Sequence, residues 1–346
     1  MRRLILERQH TDEPLKLVLM SATIDASNFI AYFDSNFSVS FLQIPGKTNY
    51  PIEELFLEDI CEIVPSAQVR GPPPMNNSKG PSKEPRNIWA SSAGAVKSKY
   101  RELGFRSGRP NRVYDQIANA LQRPHMLDVD LICAVVEHIE SSEPPISDGG
   151  DGDDFLGSVL IFAPGWQEIT DVMKGLERKL KDCRRRCAWA RDRDWTVLPL
   201  HSQVPQSDQM RIFDKPRPGR RKIIVSTNLA ETSITVEDVV YVVDPGLSRG
   251  KTYSAHTNIA SLETFLVSRS NVQQRRGRSG RCRPGKFYKL YTEYEFVEEM
   301  RDHEEPGTLF RFYHKFSARK RYILKHLLSR NATHARRGAV PHGQDP

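Results

Sequence analysis

Residues 222–227 and 238–244, KIIVST and DVVYVVD, are two apolar, β-branched runs separated by the polar stretch NLAETSITVE (228–237). Runs this short and this continuously apolar fit strands buried on both faces, as in a parallel sheet. Two more of the same kind occur upstream, SVLIFAP (158–164) and TVLPLH (196–201). Between them WQEITDVMKGLERKLKD (166–182) repeats its apolar residues at helical spacing. Strands alternating with helices predict an α/β fold, a parallel sheet with helices on both faces. Ligands of such sheets gather at the carboxyl ends of the strands, where APG (163–165), LHS (200–202) and STN (226–228) fall.

Working outward, DLICAVVEHIE (130–140) has helical spacing at Leu131, Val135 and Ile139. LKLVLMSAT (15–23) reads as a further buried strand, and IDASNFIAYF (24–33) as a short helix. Residues 65–112 include GPPPMNNSKGPSKEP, polar and without period, and read as a mobile insertion or linker. SDGGDGDDFLG (147–157) reads as a surface loop.

The chain has 346 residues, enough for two ordinary domains. Its formal charge of +8 favours polyanionic partners such as RNA, DNA or anionic lipid. Basic residues concentrate in 178–193 and after 306. Five cysteines are scattered, and the closest pair, Cys183 and Cys187, lacks the second pair of a zinc site, so they read as free thiols of a reducing compartment. No apolar run approaches the roughly 20 residues of a transmembrane helix, and MRRLILERQ leads into no signal-peptide core. The expected setting is intracellular, cytoplasm or nucleus, with a mitochondrial address left open.

QQRRGRSGR (273–281) packs four arginines around two glycines. Arg278 and Arg281 are three apart and would share one face of a helix. Gly277 and Gly280 would let another surface approach closely. Two guanidiniums aimed at one crowded anion suit a transferring phosphoryl group. A solvated basic patch is the other reading of the same residues.

SAT (21–23), LIFAPGWQEI (160–169), LPLHSQVPQSDQMRIF (198–213), STNLAETSITVEDVVYVVDPG (226–246) and QRRGRSGR (274–281) resemble, in order and spacing, the DEAH/RHA family of superfamily 2 RNA helicases. PGW, LPLHSQVP and AHTN are most similar to the RHA branch. The resemblance implies two RecA-like domains, a P-loop-NTPase type of parallel sheet, of which the first is incomplete here. Residues 1–64 would be the end of the first domain, 65–112 the insertion, 113–305 the second domain, and 306–346 a divergent basic tail, partly disordered.

That resemblance also implies ATP and Mg²⁺ as cofactors and single-stranded RNA as the track. RNP or ribosome-assembly factors become possible partners, with no membrane and a monomeric chain. Gln274 would position the attacking water, and Arg278 and Arg281 would be arginine fingers beside Gly277. Phe213 would stack on adenine, or else serve as a core phenylalanine. Thr235 and Glu237 would lie near the ribose, although the family more often has Asp or Asn at Glu237. Thr227 and Asn228, and more weakly Ser202, would meet RNA phosphates. Ser21 and Thr23 would couple ATP state to domain closure, or simply cap the helix that follows. Arg275, Arg276 and Arg283 read as solvated.

Gly46-Lys47-Thr48 in PGKTNYP imitates a P-loop, but the glycine required five positions earlier is Phe41, so the stretch reads as a surface turn. No other P-loop pattern and no D-E-x-H box occurs in the sequence. Taken alone, the chain is therefore expected to be inactive. The alternative reading is a catalytically incompetent remnant that binds RNA or regulates, and a DNA-directed helicase is a third.

Overall fold

The computed structural model describes residues 49–71, 87–142 and 156–303, apart from 192, 217, 218, 233, 235, 255–258 and 282, and a few isolated residues before 43. Six parallel strands form the main sheet: β1 (Ile52–Leu55), β2 (Ser158–Phe162), β3 (Asp194–Leu200), β4 (Arg220–Ser226), β5 (Val239–Asp244) and β8 (Gly285–Lys289). Their order across the sheet is β1-β8-β5-β2-β4-β3. A separate two-stranded sheet pairs β6 (Leu247–Ser254) with β7 (Ile259–Leu266). By compactness, Thr252–Ser261 and Glu304–Pro346 form a unit apart from the rest. Of that unit only the inner ends of β6 and β7 belong to the described residues.

Successive strand residues point to opposite faces, and each face carries its own core. Val159, Ile161, Ile223, Val225 and Val243 pack beneath α1 (Leu57–Ile63), α3 (Asn111–Gln122), α4 (Val129–Ser142) and α5 (Trp166–Arg186). Leu160, Phe162, Leu198, Leu200, Ile224, Val242 and Phe287 face Ala230 of α7 (Leu229–Thr232) and Val272 of α8 (Arg269–Arg276). Such continuous burial explains why β2, β4 and β5 read as unbroken apolar runs. The α/β architecture with helices on both faces is the one the sequence predicts.

Three expectations differ from the structure. Ile52–Leu55, assigned by sequence to a first domain, is the edge strand of this sheet, pairing with Gly285–Tyr288. Its short IEEL sequence, with two adjacent charged residues and no alternation, hid a strand that β8 completes. Within 65–112, Ser92 caps α2 (Ala93–Glu102), donor Ala95 N–H to Ser92 Oγ at 3.3 Å, and the helix buries Val96 and Tyr100. Only those two buried side chains anchor it, too few to show through the Ser-, Gly- and Lys-rich composition. Leu17, Val18 and Leu19 form no strand, and Val18 is 75% exposed. Among the described residues no neighbouring strand pairs with them, and an isolated strand leaves its backbone groups to water. Of the proposed 24–33 helix, Ile30 and Phe33 are helical, and the other residues lie outside the described ones, as do 147–155 and the tail.

Candidate functional site

The functional residues proposed from sequence divide between the two ends of the sheet. β4 ends at Ser226, and its last carbonyl accepts from Ala163 N–H at 2.7 Å. Thr227, half-buried, and Asn228, exposed, then lead into α7, their carbonyls accepting from Ala230 N–H at 3.2 Å and Glu231 N–H at 2.9 Å. Ser202 is exposed in the turn after β3. Gln209 of α6 (Gln206–Met210) holds that turn by donating to the carbonyls of His201 (3.2 Å) and Val204 (2.7 Å). Trp166 opens α5 after β2 and lies 5.4 Å from the His201 ring, a pairing that the sequence reading did not assign. The carboxyl end therefore offers hydroxyl, amide and ring groups beside the Arg249–Glu168 ion pair that packs on Gly165.

The loop that follows Arg278 leads to the opposite end. α8 stops at Arg276, so Arg278 and Arg281 do not share a helical face; both lie in the loop that enters β8. Arg278 donates to the carbonyls of Ile234 (3.0 Å), on the way from α7 to β5, and of Glu231, within α7. Gly280 and Arg281 accept through their carbonyls from Tyr50 N–H (3.1 Å) and Asn49 Nδ2 (3.0 Å), just before β1. The loop thus sits across the amino ends of β1, β5 and β8.

Gly280 has φ +69°, and a Cβ there would come 2.6 Å from Ile52. Glycine at 280 is required twice over, by conformation and by the approach of β1. Gly277 has an ordinary helical φ of −66° and caps α8.

Phe213 is 46% exposed, which removes the core-phenylalanine reading. It ends the 3₁₀ turn Arg211–Phe213. Lys222 near the start of β4 donates to the carbonyls of Ile212 (2.6 Å) and Asp214 (2.9 Å) and pairs with Asp238 (2.8 Å), just before β5. Phe213 and the exposed Glu237 are thereby placed at the amino end. Gln274 is half-buried on the last turn of α8. Thr235, Ser21, Thr23, Lys47 and Thr48 lie outside the described residues. The LHS and STN turns thus stand at the carboxyl ends of β3 and β4, where the sequence reading put them.

Arg275 overturns its solvated reading. It is 1% exposed, its Nε donates to Glu231 Oε1 at 2.6 Å and its Nη1 to Asp244 Oδ1 at 2.7 Å. The guanidinium also lies 4.6 Å over the Phe162 ring. Asn271 donates to the other oxygen of Glu231 at 2.9 Å. Glu231, within the LAET of 229–232, joins both ends: its side chain takes Arg275 while its carbonyl takes Arg278. The sequence carried it inside a motif but gave no sign of a buried partner. Arg276 is half-buried and pairs with Glu54 of β1, and Arg283 is half-buried.

Arg278 differs from Arg275 in having no carboxylate at its guanidinium among the bonds described. Burial and the neighbouring charge of Arg281, opposed by Glu231, lower its pKa to about 10. Its Nε is buried without an acceptor among the described residues. Two crowded guanidiniums and an unmatched donor fit an anion such as a phosphoryl group.

The fold and this division of residues define a RecA-like helicase domain. The helicase conserved C-terminal domain family matches residues 154–283. Over 80% of its length the chain is 35% identical to the DExH-box ATP-dependent RNA helicase DExH1 of Arabidopsis thaliana, covering 26% of that protein. It is also 35% identical over 82% of its length to the ATP-dependent RNA helicase DHX30 of Homo sapiens, covering 18% of it. To the ATP-dependent DNA/RNA helicase DHX36 of Mus musculus it is 31% identical over 82%, covering 26%. The chain belongs to the DExH-box helicases of superfamily 2. It spans about a quarter or less of the length of these relatives.

Proposed function

We propose that this chain supplies the second motor domain of an ATP-dependent RNA helicase, with RNA phosphates met at the carboxyl end of the sheet and ATP at the amino end. The observation that carries the reading is Arg278, partly desolvated, crowded by the charge of Arg281 and with a buried Nε that meets no acceptor among the described residues. In this role Arg278 and Arg281 donate to oxygens of the transferring phosphoryl group, Gln274 orients water, and the exposed Phe213 ring covers the base. Thr227, Asn228 and Ser202 hold the RNA backbone without reading sequence. Mg²⁺ and the β/γ-phosphates fall to a P-loop and an acidic box, neither of which is in this sequence.

ATP turnover separates this reading from that of an RNA-binding remnant. The purified chain should show no RNA-stimulated ATP hydrolysis above a contaminant control. A natural product that joins these residues to a P-loop and DEAH box should hydrolyse ATP in an RNA-dependent way. Turnover by the chain alone overturns the assignment of roles, and absence of turnover in such a product favours the remnant. Because one relative is named a DNA/RNA helicase, both polymers belong in the assay.

A further inference from the structure

On the face of the sheet that carries α4 and α5, away from both ends just described, three donor groups converge. Glu137 projects from α4, and Cys183 and Cys187 stand one turn apart at the end of α5. Their ligand atoms all lie within 4.8 Å of one another. Cys183 Sγ donates to Glu137 Oε1 at 3.2 Å, so a proton now occupies the space between two donors. Cys187 is half-buried and opens the cluster toward solvent. We propose that Glu137, Cys183 and Cys187 form a binding site for a thiophilic divalent cation of the zinc class, with water in the fourth position.

Four features fit that ion. Donors bound to one tetrahedral zinc at about 2.0–2.3 Å lie roughly 3.3–3.8 Å apart, so the three atoms need approach by only about 1 Å. Two thiolates select a soft or borderline ion over magnesium or calcium. Lys179 Nζ holds the other oxygen of Glu137 at 2.8 Å, the outer-shell contact that orients a ligating carboxylate. The charges also close: two thiolates and a carboxylate are balanced by a dication and the Lys179 ammonium. From the sequence the cysteine pair lacked further ligands, and only the packing of α4 on α5 supplies Glu137.

Cobalt(II) titration of the reduced chain tests the site, because thiolate ligation gives a charge-transfer band in the near ultraviolet and tetrahedral geometry gives visible bands. One equivalent at micromolar protein should produce both, and zinc should displace them. Cys187→Ala, at a half-exposed position that leaves the fold intact by circular dichroism, should abolish the charge-transfer intensity that Cys187 contributes and weaken binding at least 10-fold. Glu137→Gln should weaken it similarly, while Cys61→Ser should leave it unchanged. No thiolate band, an unchanged titration in Cys187→Ala, or binding only at millimolar metal (an adventitious ion only) overturns the proposal. So does a chain whose two thiols form a disulfide under mild peroxide at an unchanged rate when zinc is present.

Discussion

At the carboxyl ends of β2, β3 and β4 the chain presents Trp166, Ser202, Thr227 and Asn228, neutral groups on tightly bonded turns. On the loop that runs to the amino ends of β1, β5 and β8 it presents Arg278 and Arg281, held by backbone carbonyls and crowded against each other. One end can track a polymer backbone through many weak contacts. The other concentrates charge where a single small anion would need it. Between them lies Arg275, the same residue type three positions before Arg278, closed on Glu231 and Asp244. Residue type alone therefore does not say what an arginine in this stretch does; the carboxylates around it do.

Removing the connection should have the largest effect. Arg275→Ala leaves Glu231 and Asp244 buried without their cation, a change that costs about 3–5 kcal/mol in comparable buried pairs. Urea unfolding of the chain should show this loss, with Arg275→Lys recovering only part because a point charge cannot bridge two carboxylates as a fork does. An Arg275→Ala protein as stable as wild type would mean that the two ends are not tied through α7 and α8.

Arg278→Ala should separate the ends most cleanly. In a natural product with a complete ATP site, kcat should fall roughly 10³-fold, equivalent to about 4 kcal/mol, if Arg278 acts as arginine fingers do. RNA affinity without nucleotide should change little. Collapse of RNA binding with turnover per bound RNA preserved would restore the basic-patch reading of the whole stretch.

The α/β plan was legible because β2, β4 and β5 are buried on both faces and so cannot hide in a mixed pattern. β1 was not, since its IEEL keeps two charged residues outward at the sheet edge. α2 was not, because two buried side chains in ten residues leave little periodicity. At the site, the motif residues were named, yet their division between opposite strand ends depends on chain direction after α7 and α8. Burial of Arg275 was invisible for a related reason: its partners Glu231 and Asp244 lie 44 and 31 residues away.

A second buried acid makes a smaller, pH-dependent contrast. Glu58, beyond the carboxyl end of β1, accepts from Tyr100 OH at 2.6 Å and Glu293 N–H at 2.9 Å, with Arg109 nearby but bonded to Asp59 and Glu62. Burial raises its pKa to about 7, against those hydrogen bonds and the Arg109 charge. The folded state thus holds a proton that the unfolded state has lost above pH about 4.5. Its contribution to stability is full below that pH and disappears as pH rises through about 7. Glu58→Gln should therefore gain on wild type between pH 5 and 8, by something of the order of 2 kcal/mol. Parallel stability profiles for the two proteins would place the carboxyl in a wetter setting than the structure gives it.

The smallest effect is expected at the polar end itself. Thr227→Ala removes one hydroxyl from a half-buried turn whose backbone bonds remain, and one neutral hydrogen bond contributes about 0.5–1.5 kcal/mol. RNA affinity of the chain should fall only a few-fold. Charge should dominate instead, so affinity should drop steeply between about 50 and 200 mM salt with little preference for sequence. Residues 178–193 contribute less to this than their composition suggests. Lys179, Lys181, Arg184 and Arg186 all have carboxylate partners within the fold. Deleting 307–346 should thus flatten the salt dependence more than neutralising Arg184 and Arg186 does. A labelled single-stranded RNA titrated at several salt concentrations reads both effects at once. Salt-insensitive, sequence-selective binding would mean that base edges are being read at this end of the sheet, and a specific RNA-binding module would then describe the chain better than half of a motor does.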